Sequence, residues 1–193
     1  MPPIVLASTS PYRRELLQRL RLPFSVQAPR VDERALEGEA PHDTARRLAL
    51  AKAMAVAAGQ PGSIVIGSDQ VADVDGQALS KPGTHEAALA QLTRMQGRDV
   101  VFHTALAVVD PRGRHQVEDV PTTVRFRVLP TAQLDAYLRA EQPYDCAGAA
   151  KIETLGITLV ESVRSDDPTA LIGLPLICLT TMLAACGVRL PAQ

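Results

Sequence analysis

The stretch Ser63-Ile64-Val65-Ile66-Gly67-Ser68 is short, β-branched and preceded by Pro61-Gly62, the pattern of an interior strand. It delivers Asp69 at its carboxyl end. Just upstream, Ala45, Leu48, Ala49, Ala53 and Val56 recur at helical spacing, which predicts a helix over 42–58 with Gly59 as its C-terminal stop. Further upstream, Ile4 to Ala7 reads as a short buried strand. Ser10-Pro11 then opens a helix as N-cap and first-turn proline, with Leu16, Leu17 and Leu20 on its buried stripe to about residue 20. A second short strand is expected from Phe24 to Ala28, followed by a loop through Val31-Asp32-Glu33.

Downstream of Asp69, Asp75-Gly76 signals a hairpin, Thr84 caps a helix to about Met95, and Gly97 closes it. Val100 to Val109 and Gln116 to Val128 flank Asp110-Pro111-Arg112-Gly113 and read as a long antiparallel pair. Thr131 is expected to cap a helix to Ala140, Ile157 to Val163 to form a strand, and Leu174 to Cys186 to form an apolar closing helix. With no repeat, linker or low-complexity segment, residues 1–193 read as one α/β domain. Its sheet is mixed parallel and antiparallel, bent, and flanked by helices.

A chain of 193 residues that is 46% hydrophobic can bury a full core. Its 20 Lys and Arg against 21 Asp and Glu argue against a nucleic-acid backbone or an anionic membrane as partner, so any anion site is local. The N-terminal run lacks the features of a secretory signal, and no segment approaches the roughly 20 apolar residues of a membrane span. Cys146, Cys178 and Cys186 are an odd set without CxxC spacing, read as buried free thiols in a reducing cytosol. A cytoplasmic location is the expectation. His42, His85, His103 and His115 are too scattered to propose as ligands and read as surface or packing residues.

Two constellations suit phosphate chemistry. The first is Ser8-Thr9-Ser10-Pro11-Tyr12-Arg13-Arg14, where a strand hands over to a helix. Free amides, the helix dipole, the hydroxyls of Ser8 and Ser10 and the guanidiniums of Arg13 and Arg14 are all suited to phosphate oxygens. The same residues also describe an ordinary serine cap with solvated arginines. The second is Asp69, whose carboxylate can hold a divalent cation or accept a proton from an attacking water. Glu33 adds a loop carboxylate, Lys52 a helix cation, and Lys81, in Ser80-Lys81-Pro82, a cation in a proline-fixed loop. Each alone also fits a surface charge; together they are what a metal-bound triphosphate requires.

These segments carry a resemblance. LASTSPYRRELL at 6–17, VDE at 31–33, LAxxKA at 48–53, IGSDQV at 66–71, SKP at 80–82, CAGxxKIExxG at 146–156 and GLPL at 173–176 resemble, in order and over nearly the whole chain, the Maf family of nucleotide pyrophosphatases. Within it the chain is most similar to the YceF-type branch. The resemblance implies an inosine-triphosphatase-like architecture, a divalent metal (Mg²⁺ or Mn²⁺), a frequent homodimer, and cleavage of 7-methyl-GTP to 7-methyl-GMP and pyrophosphate. It also implies Asp69 as catalytic proton acceptor and Tyr12, Gln70 and Glu153 as the specificity positions. The sister branch acting on dTTP and UTP carries arginine, threonine and glutamine there, and this chain carries none of them. Its tyrosine departs from the tryptophan common in the methyl-GTP branch but keeps an aromatic face.

On that reading Glu33 or Asp69 holds the metal, and Asp69 activates water unless the metal claims it. Ser8 and Ser10 position phosphate oxygens, and Arg13, Arg14, Lys52 and Lys81 offset leaving-group charge. The alternatives are the sister branch's dTTP and UTP activity, a non-catalytic nucleotide-binding regulator linked to cell division, and an enzyme acting on sugar phosphates.

Overall fold

The computed structural model describes residues 1–191, and its organising element is the strand that contains Asp69. That strand, β3 (Ile64–Val74), follows β1 (Ile4–Ala7), α1 (Pro11–Gln18), β2 (Ser25–Gln27) and α2 (Pro41–Ala57). After it come β4 (Gln77–Leu79), α3 (His85–Met95), β5 (Asp99–Val109), β6 (His115–Phe126), α4 (Thr131–Glu141), β7 (Val160–Arg164) and α5 (Leu176–Ala185). The sheet runs β2-β1-β3-β5-β6-β7, with β4 also paired to β3. The β1 pairs are parallel and the rest antiparallel, so the expected mixed sheet flanked by helices is what forms.

One edge of β3 is paired along nearly its whole length by β5, from Val65 opposite Val109 to Asp73 opposite Val101. Two short strands divide the other edge. Parallel β1 covers Ile64 to Gly67, and antiparallel β4 covers Ala72 to Val74. Residues 68–71 lie in the gap, with no strand beside them on that edge among the described residues.

Alternation along the strands assigns each face its cover. Ile4, Leu6, Ile64, Ile66, Leu106 and Val108 pack with Leu16 and Leu17 of α1 and Leu179 and Leu183 of α5. On the opposite face Val5, Val65, Ala105 and Ala107 meet Ala45, Ala49, Ala53 and Val56 of α2. Beyond the gap, Ala72 and Val74 join a third cluster with Leu92 and Met95 of α3 and Leu134 and Leu138 of α4. Gly67 lets α2 approach closely, since a Cβ there would stand 2.3 Å from the Ala49 carbonyl oxygen and 2.8 Å from the Ala53 nitrogen.

Local signals hold where the chemistry is local. The Ser10 hydroxyl accepts from the Arg13 N–H, Thr84 from Ala87, and Asp75 and Gly76 both take positive φ in the β3–β4 turn. Several expected boundaries are corrected. Helix α1 stops at Gln18 because the chain tightens into a turn that places Arg21 at φ 54°. Thr131 is the first residue of α4 and not its cap; extended Pro130 precedes it, without a side-chain cap. Residues 157–159 belong to a 3₁₀ turn, Leu155–Leu159, before β7, and α5 begins only at Leu176, after Pro175. All three cysteines are free but half-buried, not buried. No helix among the described residues is long and apolar enough to cross a membrane.

Candidate active site

The site grows from the gap in the β3 edge. Asp69 is not at the end of its strand, as the sequence pattern suggested, but in the middle of an eleven-residue one. It lies two residues beyond the last β1 pair, at Gly67, and three before the first β4 pair, at Ala72. Where β1 and β4 part, their outgoing ends carry Ser8 and Lys81 to the same opening. That opening is a cleft of about 820 Å³.

The two faces of β3 then sort the polar residues. On the α2 face, Lys52 donates from Nζ to Asp69 Oδ1 across 2.6 Å and lies 2.9 Å from Glu33 Oε1. The Lys52 and Asp69 side chains are only 6% and 11% exposed, whereas Glu33, on the loop between β2 and α2, is 55% exposed. Burial pushes the Glu33 carboxyl up, but Lys52, with Lys81 and Arg13 behind it, more than offsets this and holds it below the usual glutamate value.

On the other face, Ser68 Oγ donates to the Gly173 carbonyl at 2.9 Å, and Arg13 Nε donates to the same oxygen at 2.8 Å. Removal from water pulls the Arg13 pKa down, opposed by the fields of Asp69 and Glu33; a guanidinium is basic enough to stay charged, and its terminal nitrogens are uncommitted to that carbonyl. Gln70 is anchored through Nε2, which donates to Thr104 Oγ1 and to the carbonyls of Ala170 and Leu171. Its Oε1 is the end left to meet a ligand.

The Ser8 hydroxyl oxygen accepts the Ser10 N–H at 3.1 Å, and the Ser10 hydroxyl oxygen accepts the Arg13 N–H at 3.4 Å. Both are thus fixed as acceptors inside the turn, with their O–H groups still able to donate. Tyr12, from the first turn of α1, and Glu153, from the segment between α4 and β7, line the same cleft.

Every residue singled out from the sequence lines this cleft except Arg14. Arg14 is exposed and borders a separate depression with Thr9 and Gln18, because successive helical residues point about 100° apart and Arg13 already faces inward. Sequence reasoning missed Gly173, whose carbonyl organises Ser68 and Arg13. Its signal was the GLPL run, where φ of 123° requires glycine. Cys146 also lines the cleft, but burial, reinforced by Asp145, pushes its thiol up to about 12, so it supplies no thiolate near neutral pH.

A model of the family described as Maf-like protein matches residues 3–186. The chain belongs to the Maf family. A 7-methyl-GTP pyrophosphatase of Burkholderia thailandensis is 61% identical over 191 residues, covering 97% of this chain and 89% of the relative. Another, from Bordetella pertussis, is 62% identical over 187 residues, covering 96% and 93%. The Ham1 protein of Staphylococcus aureus aligns with a TM-score of 0.48 at 17% identity, covering 64% of this chain and 71% of that one. In Maf terms, the family motifs of this chain meet at the parting of β1 and β4: the serine-arginine turn, the loop glutamate, the helix lysine, the strand aspartate and the second lysine loop.

Proposed function

We propose that this Maf protein hydrolyses 7-methyl-GTP to 7-methyl-GMP and pyrophosphate. The observation that carries the reading is the pairing of Asp69 with Lys52 in the strand gap, in a cleft that an aromatic ring, Tyr12, and a carboxylate, Glu153, also line. The names of the close relatives support the same substrate.

Asp69 Oδ1 is committed to Lys52, so Oδ2 is the oxygen available to orient water and accept its proton as the water attacks the α-phosphorus. The P–O bond to the β-phosphate breaks, and pyrophosphate leaves with the electron pair. Arg13, Lys52 and Lys81 offset the charge that develops on the leaving group, while Ser8 and Ser10 donate to phosphate oxygens. Arg14, outside the cleft, has no part in this.

The donor set also fits a divalent cation. Glu33, more exposed than Asp69 and outside the Lys52–Asp69 bond, would hold the ion beside Asp69, and Mg²⁺ characteristically takes one or two carboxylates with phosphate oxygens and waters. Phosphate oxygens of the substrate and waters would complete its coordination. A bound Mg²⁺ or Mn²⁺ neutralises triphosphate charge and polarises the scissile phosphoryl group.

At the base, Glu153 accepts from the guanine N1 and N2 donors, and its charge favours the delocalised positive charge that 7-methylation confers. Gln70 presents an acceptor, which matches a donor-rich guanine edge better than the carbonyl-flanked edge of uracil or thymine. Three free cysteines suit action in the reducing cytoplasm.

The direct test is product analysis with 7-methyl-GTP. Monophosphate and pyrophosphate should appear in equal amounts and stop on chelation of the metal. Release of orthophosphate with diphosphate left behind would overturn the assignment, and binding without any cleavage would favour the regulator.

A further inference from the structure

The ring assigned to the base already has a cation beside it. Lys151 Nζ lies 5.7 Å from the centroid of the Tyr12 ring, within the range of a cation–π contact. The placement is built from a rigid origin. The Lys151 N–H donates to Tyr137 Oη at 3.0 Å, and its carbonyl accepts from Gly156 at 2.9 Å and Thr154 at 3.2 Å. A Cβ on Gly156 would stand 2.3 Å from that carbonyl oxygen, so the glycine is what permits the closure. Tyr137 is itself buried in the α3–α4 cluster.

From this anchored residue the ammonium reaches no carboxylate within 4.0 Å among the described residues, and it stands over the Tyr12 ring. Burial pulls the Lys151 pKa down, but its interaction with the Tyr12 hydroxyl and the charge of Asp145 oppose this, and the group's pKa is raised.

This bears on base recognition, and it rests on the proposed 7-methyl-GTP reading. A π-face attracts one cation through its quadrupole. If the cationic base stacks on the face that Lys151 approaches, the two compete for it. If it stacks on the opposite face, the ring lies between two positive charges that repel through it. Either way, Lys151 opposes the charged base more than the neutral one. We infer that Lys151 is a specificity-determining residue, a resident cation on Tyr12 that limits how strongly 7-methylguanine is preferred over guanine. Removing the charge therefore sharpens the preference, the reverse of what loss of an ordinary binding residue does.

The test compares kcat/KM for 7-methyl-GTP and GTP in the parent, Lys151→Met and Lys151→Arg. Lys151→Met should raise the 7-methyl-GTP to GTP ratio by about two- to fivefold, the scale of a partly exposed cation–π contact, chiefly through KM. Lys151→Arg should keep the parent's ratio. The ratio is insensitive to partial misfolding, because both substrates report on the same preparation, and a merely structural lysine would lower both values together. An unchanged or lower ratio in Lys151→Met overturns the inference. A parent that shows no preference for 7-methyl-GTP overturns the substrate reading instead, and a rise in the ratio on such a parent still supports the role of Lys151. Cleavage of neither nucleotide overturns both.

Discussion

The Lys52 ammonium donates to Asp69 across 2.6 Å, between two side chains that water scarcely reaches. One carboxylate oxygen of Asp69 is therefore structural and the other is available for chemistry, and the two roles separate on substitution. Asp69→Asn keeps an acceptor for Lys52, so the fold and nucleotide binding should survive. It removes the proton acceptor, so kcat should fall by about 10²-fold or more. Steady-state kinetics together with equilibrium nucleotide binding checks this. If kcat is nearly unchanged, Glu33 is the base.

Tyr12→Ala and Glu153→Gln should each lower the preference for 7-methyl-GTP over UTP, because they remove the ring and the charge that favour a cationic purine. On the cation–π scale of about 0.5–2 kcal/mol, the Tyr12 change is worth roughly 2- to 30-fold in the ratio of kcat/KM values. Turnover of UTP itself should change less. Retention of the parent's ranking by both variants would falsify the assignment of the base to Tyr12 and Glu153.

Gly67→Ala should destabilise the protein by about 3 kcal/mol, at the upper end for overpacking, since its methyl meets backbone atoms of Ala49 and Ala53 that cannot rotate away. Because α2 carries Lys52 and β3 carries Asp69, forcing the two apart should also lower kcat without touching either side chain. Denaturant unfolding and kinetics on the same preparation measure both effects. Normal stability would show that α2 moves freely, against the close approach described above.

Stability should also depend on pH through His103. Asp119 accepts from or pairs with its Nδ1 at 2.7 Å, Asp73 lies 3.7 Å from its Nε2, and the His42 ring is 5.8 Å away. The Asp119 hydrogen bond is the largest influence and, with Asp73, it outweighs burial and raises the His103 pKa. A pKa raised in the folded state gives stability that is complete below the unfolded value of about 6.5 and is lost as pH climbs through the folded value. Unfolding by denaturant at pH 5.5, 7 and 8.5 should show a decline that His103→Gln largely abolishes. A parent profile that rises over this range contradicts the assignment. The buried Asp73 Oδ1 and Asp119 Oδ1, which have no hydrogen-bond partner among the described residues, add to the need for the imidazolium.

Much of the fold was legible because its signals are local. Ser10-Pro11, Thr84 and Asp75-Gly76 act on backbone groups within a few residues, so their chemistry decides their structure unaided. The length of β3 was not legible in this way. Ser68, Asp69 and Gln70 interrupt an apolar run and look like its end; what carries the strand through them is pairing with residues 104–106, some 35 positions away in the chain. The same holds for the site. The residue types were visible as motifs, but Arg13 and Arg14 are chemically alike, and only their directions on α1 separate a cleft residue from a surface one. The organising carbonyl of Gly173 has no side chain for the sequence to advertise.

The parting of β1 and β4 leaves Asp69, the proposed base, on the central strand, while its companion Glu33 sits on a segment with no helix or strand between residues 28 and 40. The two halves of the site therefore belong to different levels of the opening hierarchy. Amides of β3 near Asp69 that bond to β5 should exchange with solvent only on global unfolding, whereas those around Glu33 should exchange through small local openings. Nucleotide should slow the second set far more than the first. The cost of ordering the site on binding then falls almost wholly on one loop, and it is there, not at Asp69, that substitutions can tune affinity while leaving the chemical step untouched.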